Sequence, residues 1–349
     1  MKEKFIIIVL IAMIFTLTSC SNANNKDNTH SAEPVKGTHS GMGTLIEFTV
    51  YGDNAKEAIK KGKEVMNEIE QEMSLNIKDS EVNKINAQAG KTAVSVSPET
   101  FSVVKRGVYF SKLTEGNFDI TIAPISQLWD IGQDDARVPS QDEIEALLPL
   151  VNYRHIQLDE KNTSVLLEEK DMKIDLGGIA KGYAADRVID VFKDMGIKNA
   201  LVSVGGNIKV IGENPQKGRA WTVGLRHPRK ARGNYFATIR LNDGETVVTS
   251  GDYERYFIKD DIRYHHIFNA KEGQPSKSDI IGATIITQNS MDADGLSTSL
   301  FVLGSNKGMK MIDELEGVEA VIITRDLKVM MTEGIKDRID VESMQLEAE

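Results

Sequence analysis

Cysteine is almost absent from this 349-residue chain: Cys20 is the only one. No internal disulfide can form, and no thiolate metal cluster either. Positive charge is also in deficit, with 42 Lys plus Arg against 52 Asp plus Glu and a formal charge of −10. Such acidity argues against a nucleic-acid surface and against a basic membrane-binding face. An anionic ligand must then be met locally, by a metal, a helix end or a few placed cations. Neither G-x-G-x-x-G nor a Walker loop occurs, so Rossmann and P-loop nucleotide sites are excluded. Repeats of fixed period are missing, as is any second linker in the body of the chain, which favours one compact unit.

The N-terminus has a composition of its own. Lys2 and Lys4 precede an apolar run from Phe5 to Leu17 broken only by Thr16, and Leu17-Thr18-Ser19-Cys20 closes it. The run is too short for an ordinary membrane span and reads as a signal-peptide core. A small residue before a sole cysteine is the pattern of a bacterial lipoprotein, with Cys20 acylated after cleavage. Residues 1–19 are thus expected to be removed, and the loss of Lys2, Lys4 and Glu3 leaves −11. Acyl chains would hold the protein at the outer face of the cell membrane without spanning it. Residues 21 to about 40 are polar and read as a flexible tether. The folded unit is expected over 41–340, with a polar tail at 341–349.

Periodicity predicts a strand from Gly43 to Tyr51, then a helix capped near Asp53-Asn54 and running to Met73. Ser97-Pro98-Glu99 opens a second helix to Leu113. Residues 117–129 read as a long structured loop, and Gln141–Leu148 as a short helix. Strands dominate thereafter, at 155–158, 164–168, 172–176, 200–204, 207–211, 221–225, 235–241 and 245–249, interrupted by a helix over 178–195. A strand at 281–287 precedes helices near 292–303 and 305–315, and strands at 318–324 and 327–331 follow. Many hairpin-spaced strands with a few helices predict an α+β fold of mixed, largely antiparallel sheets with packed helices.

Five short segments carry chemistry. Asp175-Leu-Gly-Gly-Ile-Ala-Lys181-Gly runs from apolar residues through a glycine pair into a helix. Bare backbone there, beside a carboxylate and an ammonium, suits phosphate or a hard cation, though glycines also serve close packing. Asp294 and Thr298, one helical turn apart, offer hard oxygen donors suited to Mg²⁺. An acidic first turn also complements a helix dipole. His265 and His266, adjacent on a predicted strand, face opposite ways and cannot chelate one metal together. Either one serves as a base or phosphate contact, or as a half-buried structural histidine. Thr249-Ser250-Gly251 and Val204-Gly205-Gly206-Asn207 are small-residue turns in which glycine admits either a ligand or a simple hairpin.

In this order the segments resemble the ApbE-type FAD:protein FMN transferases. The likeness rests on Gly41-Met42-Gly43-Thr44, Asn117-Phe118-Asp119-Ile120-Thr121 with Ala123-Pro124, and the stretch from Asp175 to Asp186. Val204 to Asn207, Ser250 to Tyr256, His265-His266-Ile267 and Ala293 to Thr298 complete it, from Gly41 to Met331. The resemblance implies a single compact ApbE/T-fold-like unit that moves FMN from FAD to a threonine hydroxyl of an extracytoplasmic acceptor, releasing AMP. It implies Mg²⁺ held by Asp294, Thr298 and the carbonyl of Gly178, with Ala180 as a nearby alternative and Asp292 able to reach a second metal. It implies FAD contacts at Met42, Asp119, Trp129, Asp175, Lys181, Ser250 and Ile267, and a catalytic His266. The acceptor is expected to carry an acidic residue or serine followed by Gly-Ala-Ser/Thr. Asn76 stands where the family often has an aromatic residue, and Ile281-Gly282-Ala283-Thr284 lacks the first acceptor residue, so no self-modification is expected. Two other uses of the site are hydrolysis of FAD to FMN and AMP, and non-catalytic flavin capture.

Overall fold

The computed structural model describes residues 33–341. The lipoprotein signal, Cys20, most of the tether and residues 342–349 lie outside the described residues.

The chain opens with a hairpin, β1 (Val35–Gly41) and β2 (Thr44–Tyr51), followed by α1 (Ala55–Met73), α2 (Glu81–Ala87), β3 (Val94–Ser95) and α3 (Pro98–Leu113). Next come α4 (Ala123–Trp129), α5 (Gln141–Leu147), β4 (Ile156–Asp159), β5 (Ser164–Leu167) and α6 (Ala180–Asp194). A run of strands follows: β6 (Asn199–Val204), β7 (Asn207–Ile211), β8 (Trp221–Arg226), β9 (Tyr235–Leu241) and β10 (Thr246–Gly251). It continues with β11 (Tyr256–Lys259), β12 (Ile262–His265), β13 (Phe268–Asn269), β14 (Gln274–Pro275) and β15 (Ile280–Thr287). The chain closes with α7 (Ser290–Asp313), β16 (Glu319–Thr324), β17 (Val329–Met331) and β18 (Ile339–Val341).

An eight-stranded sheet in the order β1-β2-β6-β7-β10-β15-β16-β17 forms the middle layer, and every ladder in it is antiparallel. One face packs against α1, α6 and α7 through Phe48, Val202, Val248, Val188, Phe192 and Leu300. The other face packs against the small sheet β18-β9-β8 through Val210, Val247, Ile281, Trp221 and Ile239. A sheet apolar on both faces needs cover on both, and this α+β arrangement supplies it.

Local chemistry explains the helix ends. Ser97 accepts a hydrogen bond from the Thr100 N–H, and Ser140 with Glu143 forms a full capping box on α5. α7 breaks at Gly304, whose φ of 79° and ψ of 173° only glycine adopts readily, so it is two helices end to end, as the sequence predicted.

Four expectations need correction. Residues 172–176 form no strand, although Met172, Ile174 and Leu176 are buried in alternation. The Asn86 carboxamide takes the place of a neighbouring strand: it accepts from the Ile174 N–H at 2.8 Å and donates to the Ile174 carbonyl at 3.1 Å. The segment 117–129 holds helix α4, with Pro124 in its first turn. The tether does not reach residue 40, because Val35–Gly41 is an edge strand; a Cβ at Gly37 would lie 2.6 Å from Ile59 of α1. The folded unit also runs past 340, since Val341 pairs with Ala237 of β9.

Candidate active site

The loop entering α6 is tied by its own side chains. Asp175 Oδ1 accepts from the Gly177 N–H at 2.8 Å, and Oδ2 accepts from Ser126 Oγ at 3.3 Å. One turn later Lys181 Nζ returns to the Gly177 carbonyl at 3.0 Å. Gly178 packs closely against Phe118, where a Cβ would come 3.0 Å from the ring and 3.8 Å from Thr298 Oγ1. The turn thereby reaches α7.

A half-buried ion pair sets the start of α7. Asp186 of α6 accepts from the N–H groups of Ser290 at 3.0 Å and Met291 at 2.9 Å. Lys209 of β7 is 2.8 Å from the same carboxylate and donates to the Gln288 carbonyl at 2.6 Å. The helices cross with Gly182 against the backbone of Ser290. Asp294, 3% exposed, therefore lies over the first turn of α6: Oδ2 accepts from the Gly182 N–H at 2.9 Å and Oδ1 is 3.6 Å from Lys181 Nζ. Thr298 Oγ1 stands 3.2 Å from Ser250 Oγ, which is 2.8 Å from Ser297 Oγ.

The Gly178 turn, Lys181, Asp294, Thr298 and Ser250 line one cavity of about 560 Å³, a size suited to a small-molecule ligand. It brings together Met42, Asp175, Gly178, Lys181, Ser250, His266, Ile267, Asp294 and Thr298. Asp119 also borders it, but both carboxylate oxygens are used, Oδ1 by the N–H and hydroxyl of Thr121 and Oδ2 by the Tyr153 N–H. Its burial pushes its pKa up against those hydrogen bonds, so Asp119 organises the loop more than it offers a free contact. Trp129 is not brought to the cavity. Its indole N–H donates to the Gly273 carbonyl at 3.0 Å and its ring packs on Tyr264 and Phe268, so the expected FAD contact gives way to a satellite core. Asp292 turns away to Arg106 at 2.6 Å.

The two histidines separate cleanly. His265 is buried; its Nδ1 accepts from the Ile267 N–H at 3.3 Å, which leaves Nε2–H to donate to the Ser276 carbonyl at 3.1 Å. Burial holds its pKa down at about 4. His266 is half-buried on the cavity wall, and its Nδ1 is 3.3 Å from the Arg255 carbonyl. That contact makes Nδ1–H the donor and leaves the Nε2 lone pair as acceptor. Burial first, then Arg255 and Lys181, lower its pKa to about 3, so the ring is neutral at ordinary pH. A histidine whose folded pKa lies below its unfolded value of about 6.5 takes up a proton first in the unfolded chain. Stability is therefore expected to fall as pH drops from about 6.5 towards 4. Thermal melts across that range check this, and His265→Gln should flatten the decline.

Sequence reasoning passed over two further wall residues. Arg255, which donates to the Gly43 carbonyl at 3.2 Å, and the buried Asn207 both line the cavity. Arg255 follows the Ser250-Gly251 turn and Asn207 the Gly205-Gly206 turn, but nothing in spacing alone singles out their side chains.

A sequence model of the ApbE family matches residues 42–322. The chain belongs to the ApbE family. It is 34% identical over 291 residues to a Klebsiella pneumoniae protein named FAD:protein FMN transferase, covering 83% of this chain and 89% of that one. A Treponema pallidum protein of the same name is 32% identical over 349 residues, with 95% and 94% covered. Among solved structures, the ApbE protein of Thermotoga maritima superposes with a TM-score of 0.80 at 33% identity, covering 87% of this chain and 99% of that one. The flavin transferase ApbE of Vibrio cholerae gives 0.79 at 28% identity, with 88% and 99% covered. The ApbE fold thus accounts for the three layers, and its matched span includes every cavity residue named above.

Among the described residues no three His, Cys, Asp or Glu side chains cluster to hold a metal. At one wall of the cavity the carboxylate of Asp294 stands near the hydroxyls of Thr298 and Ser250 and the backbone at Gly178. That all-oxygen set fits a hard dication that keeps water or phosphate oxygens as its other ligands.

Proposed function

We propose that this chain is a transferase that moves FMN from FAD to a threonine hydroxyl of another protein and releases AMP. The observation that carries the reading is the convergence of Asp294, Thr298, Ser250 and Lys181, from two helices and a strand, on one cavity in an ApbE-family fold. In the reaction the acceptor oxygen bonds to the FMN phosphorus, the bridge to the AMP phosphate breaks, and the hydroxyl proton is taken up. We assign that proton to His266, on the cavity wall with its Nε2 lone pair left as acceptor. Lys181 meets phosphate charge as a point cation. Mg²⁺, held by Asp294, Thr298 and the Gly178 carbonyl, would neutralise the pyrophosphate and the leaving group.

The acceptor segment is expected to carry an acidic residue or serine before Gly-Ala-Ser/Thr. The N-terminal pattern supports a lipoprotein anchored through Cys20 on the outer face of the cell membrane, and Cys20→Ala should release the protein from the membrane fraction. The decisive assay incubates residues 21–349 with FAD, Mg²⁺ and a protein bearing that motif. Flavin fluorescence should appear on the acceptor band in a denaturing gel. FMN and AMP formed without a labelled band would make the chain a pyrophosphatase, and intact FAD throughout would make it a binder.

A further inference from the structure

Asn207 begins β7 after the two-glycine turn through Gly205 and Gly206, whose φ values are +60° and +101°. Its partner across the hairpin is Val204. The side chain is 2% exposed, lines the cavity, and its Nδ2 has no hydrogen-bond partner among the described residues. Proteins rarely leave a buried carboxamide donor in that state, and when they do the missing partner is usually a ligand or water.

The register says which side chains are near. β7 pairs with β10 at Ile208↔Val247 and Lys209↔Thr246. Side chains alternate between faces, so Asn207, Val248 and Ser250 stand on the face that α7 covers. Val204 and Val248 belong to the helix-side core, and Ser250 touches Thr298 of α7. Asn207 therefore extends the row of hydroxyls beside Thr298, where the diphosphate of FAD would gather. Phosphate oxygens are pure acceptors, the complement that an unpartnered NH₂ lacks.

We propose that Asn207 is a substrate-binding residue whose carboxamide donates to a pyrophosphate oxygen of FAD. The inference rests on the FMN-transfer reading, and its test separates the two. Asn207→Ala should weaken FAD and ADP binding about tenfold to a hundredfold, the size expected for a hydrogen bond to a charged group. Riboflavin, which has no phosphate, should bind as before. The melting temperature of the ligand-free protein should hold or rise, because the variant removes a buried donor with nothing to bind. Asn207→Asp, which loses the donor and sets a carboxylate against phosphate, should lose more affinity than the alanine variant. Unchanged FAD and ADP affinity in Asn207→Ala would overturn the assignment. So would a fall in melting temperature with FAD affinity intact, or a loss of riboflavin affinity equal to that of FAD. Wild-type protein that binds no FAD would instead overturn the FMN-transfer reading itself.

Discussion

Asp294→Asn should lower FMN transfer by about a thousandfold or more while leaving the fold in place, since dication stabilisation of transferring phosphoryl charge supplies several kcal/mol. Asparagine is the informative substitution because it keeps the shape. Its amide oxygen still accepts from the Gly182 N–H, now met by Oδ2 at 2.9 Å, so the α6–α7 crossing keeps its hydrogen bond. What disappears is the one anionic oxygen donor among the proposed ligands, together with the charge opposite Lys181 at 3.6 Å. Lys181 retains the Gly177 carbonyl as a partner, so little else needs to rearrange. Transfer rates at saturating FAD and a melting curve together check the prediction. Retention of activity within tenfold of wild type, with unchanged Mg²⁺ dependence, would remove Asp294 from the proposed metal site.

The largest effect on stability is expected at Gly182. A methyl group there would overlap the Ser290 carbonyl and come 2.8 Å from Asp294 Cβ. Neither obstacle is the loose end of a side chain. Ser290 is pinned by the Asp186 cap, and Asp294 is bound to the glycine's own N–H. Gly182→Ala must therefore push α6 and α7 apart, at a cost of about 3 kcal/mol or more for overpacking of this kind. The melting temperature should drop by at least ~5 °C. Transfer should fail with it even below the melting range, because the same displacement carries Asp294 and Thr298 away from Gly178. Gly196→Ala is the control: it closes α6 at the opposite end, where a Cβ meets nothing within 4 Å. That variant carries only the backbone strain of a φ of 79° and should keep its activity.

Sequence legibility followed physical cause. Elements whose boundaries rest on local chemistry, such as the Ser97-Pro98 start of α3 and the Gly304 break in α7, were readable because the signal lies within a few residues. Segment 172–176 was misread because its alternation is real but its backbone partner is Asn86, 88 residues away in sequence. β1 escaped notice because Val35 is its sole large apolar side chain, and the strand is held by backbone pairing and by Gly37 on α1. Within the site, Asp294, Thr298, Lys181 and Gly178 were legible as oxygen donors and a cation beside turns. Trp129 was not, since nothing in its neighbourhood tells a cavity wall from the packing on Tyr264 and Phe268. The choice between His265 and His266 likewise needed Ser276 and Arg255, contacts that the adjacency of the two rings does not reveal.

The order of the central sheet has a consequence for when the site comes into being. Strand β15 lies between β10 and β16, and α7, which brings Asp294 and Thr298, follows β15 in the chain. Lys181 and the Gly178 turn are synthesised more than a hundred residues earlier. A nascent or prematurely ended chain that stops before Asp294 thus holds Lys181 and the Gly178 turn without the carboxylate and hydroxyl that complete the proposed site. Long-range pairing of this kind is made late in folding. On the proposed reading, FAD binding has to wait until Asp294 and Thr298 are synthesised and packed against α6.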